Sequence, residues 1–370
     1  MASADRLASW SARARVSTST WSLTRSSQPT RNLLTHRRPC TDGATRFADV
    51  HDYVVTGFPE HPTEGTERVR PSVAVAAATR TLASAGVASA RAEAEQLAAH
   101  VLGLPRGRLA LADGFTADQL DRFDALVDRR SAREPLQHLL GVAPFRYLEL
   151  AVGPGVFVPR PETELLAGWG IEQGRRLPGG RTVVDLCSGS GAIALSVAHE
   201  LPGVRVVAVE RSPAALPWLR RNAAARAAAG DPPVEVVEAD VTDPGLLDGL
   251  TGRVDVLLCN PPYVPQRVVV PEEVAHHDPG EAVFGGPDGL AVIRPVIHRA
   301  GALLRPGGVL GIEHDDTHGV VVPELLAADG RFTQITAHRD LAGRPRFATA
   351  VRSVGADHGV AAVTWQTGSS

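Results

Sequence analysis

Residues 182–191 read Thr-Val-Val-Asp-Leu-Cys-Ser-Gly-Ser-Gly, and the apolar run Ala-Ile-Ala-Leu-Ser-Val-Ala follows at 192–198. A short β-branched strand ending in an acid, then a glycine turn, then a helix, is the opening unit of nucleotide-binding α/β sheets. Downstream the chain keeps alternating between the two periods. Strands are expected at Thr182–Leu186, Arg205–Val209, Val234–Val237, Val254–Leu258 and Val309–Ile312. Helices are expected at Ala192–His199, Pro213–Ala229 and Leu290–Leu304, with Ser212 as N-cap before Pro213. Thr333–Ala337 and Phe347–Val351 bring the strands to seven in a mostly parallel, doubly wound α/β sheet over residues 159–353.

Upstream, Val73–Ala85, Ser89–Leu102 and Thr116–Glu134 carry apolar residues every three or four positions, as amphipathic helices do. They predict a small all-helical domain over 70–138. Phe145–Val152 and Val156–Val158 flank Gly153-Pro154-Gly155, so 139–158 reads as a β-hairpin linker turning at those glycines. Residues 1–69 are rich in Ser, Thr and Arg and lack apolar periodicity, which predicts a disordered extension. The same composition fits an organelle transit peptide, or an upstream start codon chosen in error. No apolar segment of a secretory signal follows Met1, and residues 354–370 read as a loose tail.

The net charge of −3 hides an asymmetry. Residues 1–49 carry eight Arg against three Asp, so the rest of the chain holds −8. That acidity argues against a nucleic-acid partner. No apolar run reaches the ~20 residues of a membrane span. Three scattered cysteines, Cys40, Cys187 and Cys259, suit neither a disulfide framework nor a zinc cage, and point to the reducing cytoplasm. His276-His277-Asp278 lacks the spacing of metal ligands, so no metal is expected.

Glu210 ends the second strand, where a carboxylate grips ribose hydroxyls in nucleotide-binding sheets. The turn itself fits either a dinucleotide or S-adenosylmethionine. Asp185 favours the second, because an acid there suits a ligand with an ammonium group and would repel a pyrophosphate. Asn260-Pro-Pro-Tyr263 follows the fourth strand and should face the glycine turn. Pro fixes φ, lacks an N–H and holds the preceding residue extended. The Asn260 side-chain oxygen and the Pro261 carbonyl then form two rigid acceptors beside the Tyr263 ring. Such a pair suits a planar NH2 group on an sp2 carbon, holding both N–H bonds while a methyl group is transferred.

Together the glycine turn, Glu210 and Asn-Pro-Pro-Tyr resemble class I methyltransferases acting on planar amino groups, a superfamily that includes nucleic-acid base methylases. Further blocks resemble the protein-(glutamine-N5) methyltransferases of peptide chain release factors (PrmC/HemK). They are Arg133-Glu-Pro-Leu-Gln-His138, Phe157-Val-Pro-Arg-Pro-Glu-Thr-Glu164, Ala282-Val-Phe-Gly-Gly-Pro-Asp-Gly289 and Asp340-Leu-Ala-Gly-Arg344. The resemblance implies a seven-stranded Rossmann-like sheet and S-adenosylmethionine as donor. It also implies methylation of the glutamine in the Gly-Gly-Gln motif of class I release factors. It assigns the donor to Asp185, Cys187, Ser188, Gly189, Ser190, Gly191, Glu210, Asp240, Val241 and Asn260. Asn260, Pro261, Pro262 and Tyr263 take the glutamine, with Asn260, Pro261 and Tyr263 as catalytic residues. Arg160, Glu162 and Thr163 would cover the donor and shape the glutamine entrance, or simply brace the hairpin. The chain departs from the family pattern at Cys187 (often Gly), Val241 (aromatic in some members), Asp278 (Glu) and His318 (Gln). Glu313 and His314 read as solvated strand-end charges. A nucleic-acid base N-methyltransferase, or a silent cofactor-binding protein, stands as the alternative.

Overall fold

A computed structural model describes residues 68–177, 181–355 and 364–365. The extension expected over 1–69 lies outside them but for its last two residues, as does most of the tail. Four helices come first: α1 (Pro71–Ser84), α2 (Ala90–Leu102), α3 (Ala117–Ser131) and α4 (Leu136–Leu140). Their apolar stripes meet around Leu82, Leu97, Phe115 and Phe123, and the two Phe rings stack at 5.2 Å. Thr116 starts α3 with a capping box: its hydroxyl accepts from Gln119 N while Gln119 Oε1 accepts from Thr116 N.

The linker hairpin pairs β1 (Val142–Phe145) with β2 (Leu148–Ala151). Its turn falls at Arg146-Tyr147, not at Gly153-Pro154-Gly155 as the glycines suggested. Arg146 takes φ +53°, its N–H donates to Glu164 Oε1 at 3.0 Å, and its guanidinium grips Glu200 at 2.6 Å. Tertiary partners, rather than local turn residues, place this bend.

The sheet domain runs α5 (Thr163–Arg176), β3 (Thr182–Leu186), α6 (Ala192–Glu200), β4 (Arg205–Glu210), α7 (Leu216–Ala228), β5 (Val234–Glu238) and β6 (Val254–Cys259). Then follow α8 (Glu272–His277), α9 (Gly280–Val283), α10 (Ile293–Leu303), β7 (Leu304–Glu313), α11 (Val321–Asp329), β8 (Phe332–Arg339) and β9 (Pro345–Arg352). Strand order is β5-β4-β3-β6-β7-β9-β8, with only β9 antiparallel to its neighbours. This is the expected seven-stranded mixed sheet. One addition falls within the tail: β10 (Thr364–Trp365) pairs parallel to β8 at the sheet edge. Two apolar layers sandwich the sheet, one on each face. The winding direction reverses between β3 and β6, which opens a crevice beyond their carboxyl ends.

Candidate active site

A cavity of about 910 Å³ occupies that crevice. Its first wall is the turn between β3 and α6. Cys187, Gly189 and Gly191 all take positive φ, at +60°, +56° and +89°. At Gly191 a Cβ would also meet the Leu219 and Leu195 side chains at 2.7 and 2.9 Å, so a larger residue would be strained in backbone and would displace them. Cys187 holds a conformation that costs an L side chain roughly 1–2 kcal/mol and that glycine adopts freely.

Glu210 closes the turn from β4. Its Oε2 accepts from Gly189 N at 2.8 Å, and its Oε1 accepts from Arg211 N at 2.9 Å and Ser212 N at 2.7 Å. The carboxylate therefore ties two loops together before any ligand is considered. Asp185 does not line the cavity. It is buried behind the turn, where Oδ2 accepts from Ala194 N at 3.2 Å. Its Oδ1 has no hydrogen-bond partner among the described residues. Burial pushes the Asp185 carboxyl up to about 7, against the pull of Ser188 and the Ala194 N–H. Ser188, Ser190, Asp240 and Val241 line the same end. Asp240 accepts from Thr242 N at 2.8 Å and from Arg211 Nη1 at 2.9 Å. Ser212 does not cap α7. Its hydroxyl donates instead to Glu281 Oε1 at 2.6 Å, and the helix begins three residues later than Pro213 suggested.

Asn260-Pro-Pro-Tyr263 forms the second wall, continuing β6 into the cavity. The Asn260 Nδ2 donates to Thr163 Oγ1 at 3.0 Å, at the start of α5. That turns Oδ1 away from Thr163, and no described residue donates to it or to the Pro261 carbonyl. Tyr263 lies against the cavity with its hydroxyl donating to Glu313 Oε1 at 3.0 Å. Glu313 and His314 are buried, at 1% and 0% exposure, and so are not the solvated charges expected at the end of β7. Burial raises the Glu313 carboxyl to about 7, opposed by Arg346 and by the nearby Thr163 and Tyr263 hydroxyls. Desolvation by burial lowers His314 to about 4. Desolvation, with the neighbouring Glu313 charge, moves the Tyr263 phenol well upward.

Arg160, before α5, and Thr163, its first residue, line the cavity, whereas Glu162 does not and lies 3.8 Å from Arg344. Arg160 pairs with Asp278 and lies over the Phe157 ring at 4.6 Å. The segment running into α8 adds a further wall, with Val268, Val270 and Val274 lining the cavity. Glu273 on α8 is gripped from the helical domain by Arg130 at 2.8 Å and Arg133 at 2.7 Å. Arg130 is itself buried, and also binds Glu93 on α2 at 2.6 Å.

Sequence reasoning missed Asn222. Its Nδ2 donates to Ser190 O at 2.9 Å and to Ala151 O at 3.0 Å, while its Oδ1 accepts from Ala151 N at 2.8 Å. One side chain thus stitches the glycine turn to the hairpin. The available signal was a poor helix former inside the Ala-rich run of α7. Among the described residues no group of three His, Cys, Asp or Glu side chains is placed to hold a metal. Nor is any described helix long and apolar enough to cross a membrane.

The site residues suit an adenosyl sulfonium ligand in two respects: the turn admits close backbone approach, and the walls at Val241 and Ile193 are apolar. The family model "PrmC N-terminal domain" matches residues 74–141, and "Methyltransferase small domain" matches 174–277. A release factor glutamine methyltransferase of Mycolicibacterium smegmatis is 52% identical over 283 residues, covering 76% of this chain and 98% of that one. Its counterpart in Mycobacterium tuberculosis is 47% identical, covering 77% and 91%. A solved release-factor-specific protein-(glutamine-N5) methyltransferase of Alicyclobacillus acidocaldarius is 27% identical, covering 55% and 98%, with a TM-score of 0.33. With both domains matched in order, and half of the aligned positions identical to a relative covered over 98% of its length, the chain belongs to the release factor glutamine methyltransferase family.

Proposed function

We propose that this chain methylates the side-chain amide nitrogen of the glutamine in the Gly-Gly-Gln motif of class I peptide chain release factors. The carrying observation is the state of the Asn260-Pro261 acceptors. Asn260 Nδ2 is engaged by Thr163, while Oδ1 and the Pro261 carbonyl have no donor among the described residues. An amide NH2 has two N–H bonds to place, and these two acceptors can receive one each.

S-adenosylmethionine supplies, when bound, a methyl group made electrophilic by its sulfonium sulfur. Residues 187–191, Glu210, Asp240, Val241 and Asn260 would hold it, with Glu210 toward the ribose hydroxyls. The chain's own task is then to orient a weak nucleophile. The amide lone pair is delocalised into its carbonyl, and twisting it out approaches the ~18–20 kcal/mol barrier of a peptide bond. Asn260 and Pro261 favour the twisted, nitrogen-centred lone pair because their oxygens attract the N–H protons as positive charge grows. The Tyr263 ring bounds the amide plane. As the amide nitrogen gains its N–C bond the donor's S–CH3 bond would break, with its electron pair left on sulfur as a neutral thioether, and the surplus N–H proton leaves to water from what is then a strongly acidic cation.

A release factor is a protein substrate, and the −8 charge on residues 50–370 accords with that better than with a nucleic acid. The free Cys187 and Cys259 accord with a cytoplasmic location. The test offers the full chain and S-adenosylmethionine a release factor, a DNA duplex and ribosomal RNA side by side, with the methyl group located by mass spectrometry. Methylation of the Gly-Gly-Gln glutamine, lost on the order of 10²–10³-fold in Asn260→Ala, is the expected result. Methylation of a base instead, or full turnover by Asn260→Ala, refutes the reading.

A further inference from the structure

The two ends of a carboxamide have nearly the same shape, so packing alone does not choose which one faces a ligand. At Asn260 the choice matters. With Oδ1 toward the acceptor nitrogen the side chain receives an N–H, whereas with Nδ2 there two donors would meet. We propose that Thr163 is the positioning residue that holds the Asn260 carboxamide with its oxygen toward the substrate amide. The proposal rests on the function given above and adds to it what sets the direction of its central contact.

A hydroxyl both donates and accepts, so Thr163 could by itself satisfy either end of the carboxamide. The structure shows which end it takes: Asn260 Nδ2 donates to Thr163 Oγ1 at 3.0 Å, and Oδ1 is left without a donor among the described residues. Glu313 does not share in this contact, since its Oε1 accepts from Tyr263 at 3.0 Å and its Oε2 has no hydrogen-bond partner among the described residues. Thr163 is 3% exposed, so water does not compete for the hydroxyl. The Glu-Thr-Glu segment that begins α5 thus acts on the chemistry through Asn260, rather than only as a wall of the entrance.

The test uses the full chain with Thr163→Val and Thr163→Ser. Thr163→Val keeps the shape and removes both functions of the hydroxyl; Thr163→Ser keeps them. Turnover of a release factor is measured along with S-adenosylmethionine affinity by calorimetry. A third readout is inhibition by a release factor whose glutamine is replaced by glutamate, which offers oxygens where the substrate offers N–H donors. Expected for Thr163→Val is a loss of about tenfold in kcat, equivalent to about 1.4 kcal/mol, with donor affinity within about threefold of the unmodified protein. Thr163→Ser should return to within about threefold of full turnover. The preference for glutamine over glutamate should narrow in Thr163→Val, because either end of Asn260 can now face the ligand. Turnover of Thr163→Val within about twofold of normal overturns the proposal. So does an equal loss in Thr163→Ser, or an unchanged glutamine preference. If Thr163→Val does not fold, as judged by circular dichroism, the smaller Thr163→Ala is held to the same thresholds. An absence of glutamine methylation by the unmodified chain would instead refute the function itself.

Discussion

The position of Glu210 at the end of β4 leads one to expect a ribose ligand, and three backbone N–H groups already converge on it. Replacing it with Ala should therefore destabilise the protein with no ligand present. The Ser212 N–H is buried, so stranding it costs roughly 1–3 kcal/mol; the Gly189 and Arg211 N–H groups are partly buried and regain water at a smaller cost. Together the loss should be about 2–4 kcal/mol. Glu210→Gln keeps one acceptor oxygen and should lose less than half as much. Urea unfolding without S-adenosylmethionine reads this as a lower midpoint with an unchanged slope. Calorimetry on the same proteins should show donor affinity falling a further 10–100-fold in Glu210→Ala, as for lost hydrogen bonds to a charged group. A Glu210→Ala protein that binds the donor weakly but unfolds within about 0.5 kcal/mol of the original would refute the argument that the carboxylate ties the loops together.

Tyr263→Phe keeps the ring against the cavity, so much of the turnover should survive. It strands the buried Glu313 Oε1, and a stability loss of about 1–2 kcal/mol by thermal or urea unfolding is expected. Gly285→Ala should be worse for activity than its size suggests. The added Cβ would stand 2.5 Å from Pro262 O and 2.6 Å from Gly289 O, both backbone, so the Asn-Pro-Pro-Tyr segment must move; kcat should fall by more than about tenfold. Glu313 binds its proton more tightly folded than unfolded, because its carboxyl is raised to about 7 from an ordinary 4.5. Stability from this group is thus complete below about 4.5 and is lost as pH rises through 7. Stability measured at pH 6.5 and at pH 8 should therefore differ less in Glu313→Gln than in the unmodified protein; an identical difference would show that Glu313 does not titrate there.

Much of the architecture was legible because the chain states it locally. Thr182–Leu186 is a strand with the bounds its β-branched run suggests, and the glycine turn and Asn-Pro-Pro-Tyr face each other because both follow parallel strands. What stayed hidden depends on residues far apart in sequence. The hairpin bends at Arg146 because Glu164 and Glu200 hold it, which no turn signal announces. Glu313 looked like a strand-end charge, and only the fold brings Tyr263, Thr163 and Arg346 around it. Asp185 was expected to meet the donor's ammonium group, but it is buried behind the glycine turn and does not line the cavity. Period and punctuation reveal elements; they do not reveal which buried polar group will find which partner.

The grip of Arg130 and Arg133 on Glu273 bears on how such enzymes can be recombined. A helical domain borrowed from a relative would meet the sheet domain at a buried guanidinium, and a mismatch leaves a charge stranded in the joint. Arg130 is 4% exposed but Glu273 is 30% exposed, so removing one partner costs less than the about 3–5 kcal/mol of a fully buried pair. Functional chimeras should therefore inherit Glu93, Arg130, Arg133 and Glu273 as one set. The practical crossover point lies beyond α8, well inside the sheet domain, rather than at the hairpin where the two folds visibly part.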